Sequence, residues 1–270
     1  PEKIKEASFE LDIYNEIYVN IWEQGIYLLN KNEDIIKKNK KLRNIARSYI
    51  KRIENNDKDI ILDKLREEIN EGSKYLNKYV YNKSKKILAE NKILGILGGE
   101  HSVNYGLIKA LSEKYKSFSI IHIDAHADLR KEYMGLTYSH ASTIYNILNL
   151  SSVKQIIQIG IRDYCEEEVK IINNSKKVTI FTDNLIKTKI YNGTTFNEFC
   201  RSINVKNKNI YISFDIDGLS PVYCPYTGTP VPEGLDYNEA IYLLNLIVSK
   251  GHKIIGFDLC EVGYNPQNDW

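Results

Sequence analysis

Residues 118–128 read Phe118-Ser-Ile-Ile-His-Ile-Asp124-Ala-His126-Ala-Asp128. An apolar run of strand length, Phe118–Ile123, ends in acidic and imidazole side chains two residues apart. Working outward, short apolar strands recur at Ile93–Leu97, Gln155–Ile161, Lys177–Phe181, Asn209–Phe214 and Lys253–Leu259. Between them the spacing predicts helices at Val103–Leu111, Ser139–Leu150, Glu166–Ile172, Thr194–Ile203 and Tyr237–Ser249. Ser139 is the candidate N-cap of the second of these. Strands alternating with helices imply right-handed crossovers and a mostly parallel sheet covered on both faces, an α/β fold.

Residues 1–90 are rich in Lys, Asn, Glu and Ile. Ile61, Leu62, Leu65 and Ile69 repeat at helical spacing, so mostly helices are expected there. The lysine-rich run Ile36–Leu42 reads as a solvated helix face. No internal repeat or linker divides the chain, and the Pro/Gly-rich loop Pro221–Leu235 is too short to separate domains. One domain over residues 1–270 is expected.

Composition narrows the function. With 43% hydrophobic and 27% charged residues, the chain is neither disordered nor fibrous. A formal net charge of +2 gives no reason to expect nucleic acid or an acidic membrane surface as partner. No apolar run is long enough to span a bilayer, and no secretory leader is visible. The four cysteines form no CxxC pair and are expected as reduced thiols in a cytoplasmic protein. The chain opens at Pro1 without Met and stops at Trp270 directly after a motif-like stretch, which marks either end as a candidate truncation.

The chemistry gathers at strand ends, where open α/β sheets bind ligands. Gly98-Gly-Glu-His101 follows one strand, Asp124-Ala-His126-Ala-Asp128 the next, Asp215-Ile-Asp217 a third and Cys260-Glu261 a fourth. His140 opens a helix nearby. On extended backbone, residues i and i+2 point to the same face. Four Asp brought to one place would take up protons unless cations were present. Two divalent ions would neutralise them, with His101 and His126 completing the ligand set. Hard oxygen and nitrogen donors without cysteine favour Mn²⁺ over structural zinc. Such a site makes hydroxide near neutral pH. His122, inside a strand, and His252, at a strand start, are read as structural.

These motifs resemble the ureohydrolase family of arginases and agmatinases. The resemblance rests on Gly98-Gly-Glu-His-Ser102, Asp124-Ala-His-Ala-Asp-Leu-Arg130, Tyr138-Ser-His-Ala-Ser142, Gly160-Ile-Arg162, Ser213-Phe-Asp-Ile-Asp217, Thr227-Gly-Thr-Pro230 and Glu261-Val262, in family order. Pro1-Glu-Lys-Ile-Lys-Glu-Ala-Ser8 also resembles a family segment. The resemblance implies a three-layer α/β/α domain binding two Mn²⁺ ions. His101, Asp128, Asp124 and Asp215 would hold one ion; His126, Asp217, Asp124 and Asp215 would hold the other. Hydroxide would attack a guanidinium carbon, Glu261 would pair with the guanidinium, and His140 would help protonate the leaving amine. Asp163 is a candidate contact for a substrate amine, or alternatively a cap for the next helix. The family's first strand and final helix are expected to be lacking, and a homotrimer or hexamer is implied.

Within the family the motifs are most similar to agmatinases, which release urea and putrescine. Guanidinobutyrate, aminopropylagmatine, arginine and guanidine stand as alternative substrates. A zinc deacylase is disfavoured because the paired His-His motif of the related histone deacetylases is lacking. Retention of every ligand type argues against a non-catalytic paralogue. Glu100, Ser220 and Tyr226 depart from the family's usual Asp, Asp and Gly.

Overall fold

The computed structural model describes residues 2–14, 20–57 and 60–265. Six strands form one sheet: β1 (Leu94–Leu97), β2 (Phe118–Ile123), β3 (Val153–Ile161), β4 (Val178–Thr182), β5 (Asn209–Asp215) and β6 (Lys253–Cys260). Their order is β1-β6-β5-β2-β3-β4, and every neighbouring pair is parallel. The chain steps outward from β2 to β3 and β4, then returns to lay β5 on the other side of β2. The carboxyl ends of β2 and β5 therefore flank the point where strand order reverses, the place where such sheets bind ligands.

The helices are α1 (Glu2–Ala7), α2 (Glu33–Glu54), α3 (Ile60–Ala89), α4 (Tyr105–Lys114), α5 (Thr143–Leu148), α6 (Glu166–Asn174), α7 (Asp183–Tyr191), α8 (Phe196–Ser202) and α9 (Tyr237–Ser249). Alternation along β2 divides the core. Phe118 and Ile120 point to one face, where Leu88 of α3, Leu107 and Leu111 of α4, and Ile144 and Ile147 of α5 are buried. Ile121 and Ile123 point to the other, against Ile186 of α7, Phe199 of α8, and Leu243 and Ile247 of α9. Each such side chain contributes about 1.5–3 kcal/mol by leaving water. The result is a three-layer α/β/α domain.

Every strand expected from sequence is present. The Lys-rich run lies on α2, with Lys37, Lys38, Lys40 and Lys41 exposed. All four cysteines are free. Among the described residues no helix is long and apolar enough to cross a membrane.

Two local readings need correction. Ser139 makes no capping bond, and α5 opens only at Thr143, after a 3-10 turn at His140–Ser142. In that turn the Ser142 amide donates to the Ser139 carbonyl at 3.0 Å, and α5 is held instead by the Asp128 carbonyl, which accepts the Ile144 and Tyr145 amides at 3.0 and 3.1 Å. Helix α7, for which the sequence reading had no helix, is capped by Thr182, whose side chain accepts from the Leu185 amide at 3.2 Å.

Candidate metal centre

Six of the singled-out side chains meet beyond the β2 and β5 ends, in two corners. In the first, His101 Nδ1 lies 3.2 Å from Asp124 Oδ2, 3.3 Å from Asp128 Oδ2 and 3.2 Å from Asp215 Oδ2. In the second, His126 Nδ1 lies 3.2 Å from Asp217 Oδ2 and 3.4 Å from Asp124 Oδ1. Asp124 thus turns one oxygen to each corner. The second oxygen of Asp215 accepts the Asp217 amide at 3.0 Å.

The donor set fits divalent cations. Buried His101 Nδ1 and Asp124 Oδ2 have no hydrogen-bond partner of acceptable geometry. One ring nitrogen offers one proton or one lone pair, yet three carboxylates converge on it. Donors about 2.1 Å from a shared ion, at right angles, stand about 3 Å apart, which is the spacing observed. Two groups of close-set donor atoms could hold a metal ion: His101, His122, Asp124 and Asp128 in the first corner, and Asp124, His126 and Asp217 in the second. Asp215 adds its oxygen 3.2 Å from His101 Nδ1.

Without cations the charges distort one another. Burial, then the Asp124 charge, pushes the carboxyls of Asp128 and Asp215 up. Burial opposes ionisation of Asp124, but the neighbouring imidazoles His122, His101 and His126 outweigh it and hold Asp124 low. Burial likewise opposes charge on His126, yet Asp124 and Asp217 carry it up to about 11.

Backbone geometry aims the side chains of this site. Asp128 and Glu261 both take left-handed φ, 53° and 59°. For a side chain larger than glycine's this costs about 1–2 kcal/mol. Local bonds offset it: the Asp128 carbonyl accepts the first α5 amides, and the Glu261 amide donates to the Gly99 carbonyl at 2.8 Å. The Glu261 carboxylate then accepts the His101 amide at 2.9 Å. Burial, then the nearby Glu100 charge, pushes Glu261 up to about 7.

The remaining expected residues lie at the rim. His140 is half-exposed, with Nδ1 3.3 Å from Glu100 Oε1 and its ring edge-on to Tyr133. Burial opposes charge on His140, but the Glu100 hydrogen bond raises it. Asp163 is 69% exposed and stands 3.7 Å from His126 Nε2. It does not cap the following helix: the N-cap of α6 is Cys165, whose amide donates to Glu168 at 2.9 Å.

A model of the arginase family matches residues 26–270. The chain belongs to the arginase family. Among relatives, the N(1)-aminopropylagmatine ureohydrolase of Thermus thermophilus is 35% identical over 180 residues, covering 67% of this chain and 58% of that protein. The agmatinase of Halalkalibacterium halodurans is 34% identical over 183 residues, covering 67% of this chain and 60% of that protein. The crystal structure of the agmatine ureohydrolase of Thermoplasma volcanium superposes with a TM-score of 0.59 at 30% identity, covering 71% of this chain and 61% of the other. The matched stretch therefore spans about three-fifths of each relative's length.

This arginase-family chain also holds site residues that sequence reading passed over. His122, read as structural, places Nε2 2.9 Å from Asp124 Oδ2. Its other nitrogen contacts Gln158 Nε2 at 3.0 Å, which makes Nδ1 the acceptor and puts the proton on Nε2, where no hydrogen bond of acceptable geometry forms. Behind His101 stand Ser213, Asp258 and Asn104, all buried. For His122, Ser213 and Asp258 the advance signal was a polar residue inside an apolar strand; Asn104, in the 3-10 turn His101–Asn104 after β1, carried none. Tyr226, one of the departures, lines a cleft with Ile4, Ala7, Cys224 and Tyr264.

Proposed function

We propose that this chain is a binuclear manganese ureohydrolase that releases urea from a guanidino compound, agmatine being the first substrate, with putrescine as the second product. The observation that carries this reading is the convergence of Asp124, Asp128 and Asp215 on His101 Nδ1, with Asp124 shared with the His126–Asp217 corner. His101, Asp128, Asp124 and Asp215 would hold one ion, and His126, Asp217, Asp124 and Asp215 the other. When bound, the ions would supply hydroxide near neutral pH.

The chain's own groups do the rest. Glu261, fixed through the His101 amide, accepts guanidinium N–H bonds and orients the carbon for attack. His140, anchored by Glu100 and open to solvent, delivers a proton to the leaving amine. Asp163 presents an exposed carboxylate at the rim, suited to a cationic substrate tail. Aminopropylagmatine is the second reading, favoured by the 35% identity to a relative named for that substrate.

Urea release by the purified, Mn²⁺-loaded protein tests this, with agmatine, aminopropylagmatine, arginine, guanidinobutyrate and guanidine as substrates and an EDTA-treated control. Metal-dependent turnover favouring agmatine is expected. No urea from any substrate, with two ions bound per chain, would overturn the reading.

A further inference from the structure

Arg162 takes no part in the chemistry above, yet its guanidinium is committed to backbone carbonyls. Nε donates to Pro232 at 2.9 Å and Nη1 to Gly160 at 3.0 Å. Nη2 donates to Asp217 at 2.8 Å, Val231 at 2.9 Å and Leu219 at 3.2 Å. Apart from Gly160, at the end of β3, and Asp217, just before the loop, these acceptors lie on the two feet of one loop, residues 219–235. The feet also bond each other: the Ser220 amide donates to the Leu235 carbonyl at 2.9 Å, and the Leu235 amide to the Gly218 carbonyl at 3.1 Å. Gly234 makes room. It takes φ +110°, and a Cβ there would meet Arg162 Nη2 at 2.8 Å.

The loop so closed touches the metal centre twice. Thr229 Oγ1 donates to Asp217 Oδ2 at 3.4 Å. Gly228 faces Glu261, where a Cβ would stand 3.9 Å from Oε2. The Arg162 bond to the Asp217 carbonyl fixes the backbone from which that carboxylate projects. A planar fork with five N–H donors reaches carbonyls on both feet at once; a lysine ammonium, a point donor, does not.

We propose that Arg162 is a positioning residue: it staples the neck of the 219–235 loop and, through the Asp217 carbonyl, sets the carboxylate that forms the second metal corner with His126 and Asp124. The proposal rests on reading that corner as metal-binding.

Arg162→Lys tests it with two readouts that need no substrate. In the metal-free protein, hydrogen exchange at the Ser220 and Leu235 amides should quicken at least about 10-fold, with β2 and β3 amides unchanged. In Mn²⁺ titrations, affinity for the second ion should fall about 10–100-fold while the first is kept. The electron paramagnetic resonance spectrum should then change from a spin-coupled pair to an isolated ion. Gly234→Ala, whose Cβ would meet both Arg162 Nη2 at 2.8 Å and the Leu219 backbone at 2.9 Å, should loosen the same neck from the loop side. Unchanged exchange in Arg162→Lys would sink the staple. Faster exchange with both ions bound at wild-type affinity would sink the positioning role. If the wild-type protein binds no second ion, the metal reading fails and takes the positioning role with it, while exchange still decides the staple.

Discussion

His101 Nε2 lies 3.3 Å from Asp258 Oδ1, and both side chains are fully buried. Ser213 Oγ sits 2.9 Å from the same nitrogen. Asn104 Nδ2 donates to both Asp258 and Ser213 at 3.1 Å, and Thr143 Oγ1 donates to Asn104 Oδ1 at 3.0 Å. Ser213 Oγ donates to Asp258 Oδ1 at 3.3 Å, so its oxygen is free to accept from Nε2, and the carboxylate behind it favours a proton on Nε2 with Nδ1 turned to the three carboxylates. Asp258→Asn is expected to lower affinity for the first ion about 10–100-fold, measured by Mn²⁺ titration calorimetry, while circular dichroism stays native. Undiminished affinity would mean that Ser213 suffices to orient the ring.

His126→Ala and Asp128→Asn each remove a donor from one corner. Urea release should fall at least about 100-fold in both, with native far-ultraviolet circular dichroism. His140→Ala should lower turnover about 100-fold while keeping wild-type metal content by atomic absorption. Loss of metal in that variant would make His140 a ligand rather than a proton donor.

Glu261 sets an acid limit. Its carboxyl is pushed up to about 7, so below that pH it is protonated and loses its charge-assisted bonds to a guanidinium. Bound cations would lower this value, so kcat/KM should drop about tenfold per pH unit on an acid limb lying below 7. The pH profile of Glu261→Gln should lose this limb. A limb that persists in the variant would belong to another group.

Metal loading should release protons. In the metal-free protein His126 titrates at about 11 against a usual 6.5, so it binds a proton at neutral pH that a metal must displace. Calorimetry at pH 7.5 in buffers of different ionisation enthalpy should show at least about one proton released per chain, and affinity should weaken as pH falls. The sign for folding is opposite. The stabilisation of the metal-free protein by this raised group is fully present below about 6.5 and is lost as pH rises through about 11. Chemical denaturation of the EDTA-treated protein across that range checks it.

Gly106, in the first turn of α4, lies against α3, and a Cβ there would meet the Asn77 carbonyl at 2.6 Å and the Tyr81 amide at 2.8 Å. Gly→Ala inside an exposed helix stabilises; here the new atom pushes two backbones apart. Gly106→Ala should destabilise by about 1–3 kcal/mol in urea unfolding. A stability gain would refute the tight α3–α4 contact.

The reach of sequence reading shows in particular elements. β2 was legible to the residue because a strand buried on both faces reads as a mostly apolar run, interrupted here at Ser119 and His122, and Asp124 ends it. α7 was missed because a nine-residue helix with a weak apolar stripe owes its existence to the Thr182 cap and the burial of Ile186. Ser139 failed as a cap because a 3-10 turn intervenes, in which its carbonyl accepts the Ser142 amide at 3.0 Å, and the distant Asp128 carbonyl takes the Ile144 and Tyr145 amides where α5 begins.

By itself the sequence determined the α/β alternation and the side chains that strand ends carry forward. Both follow from local rules: apolar runs must be buried, and residues two apart on extended chain share a face. Only the tertiary structure decided that β5 lies beside β2, so that Asp215 and Asp217 meet Asp124 and His101. It alone decided that His122, Asp258 and Arg162, each a polar residue in or just beyond an apolar strand, serve that meeting point. Besides Asp124 beside His122 and Gly160 beside Arg162, their partners lie on other strands, turns or loops, and no local spacing encodes which strands become neighbours.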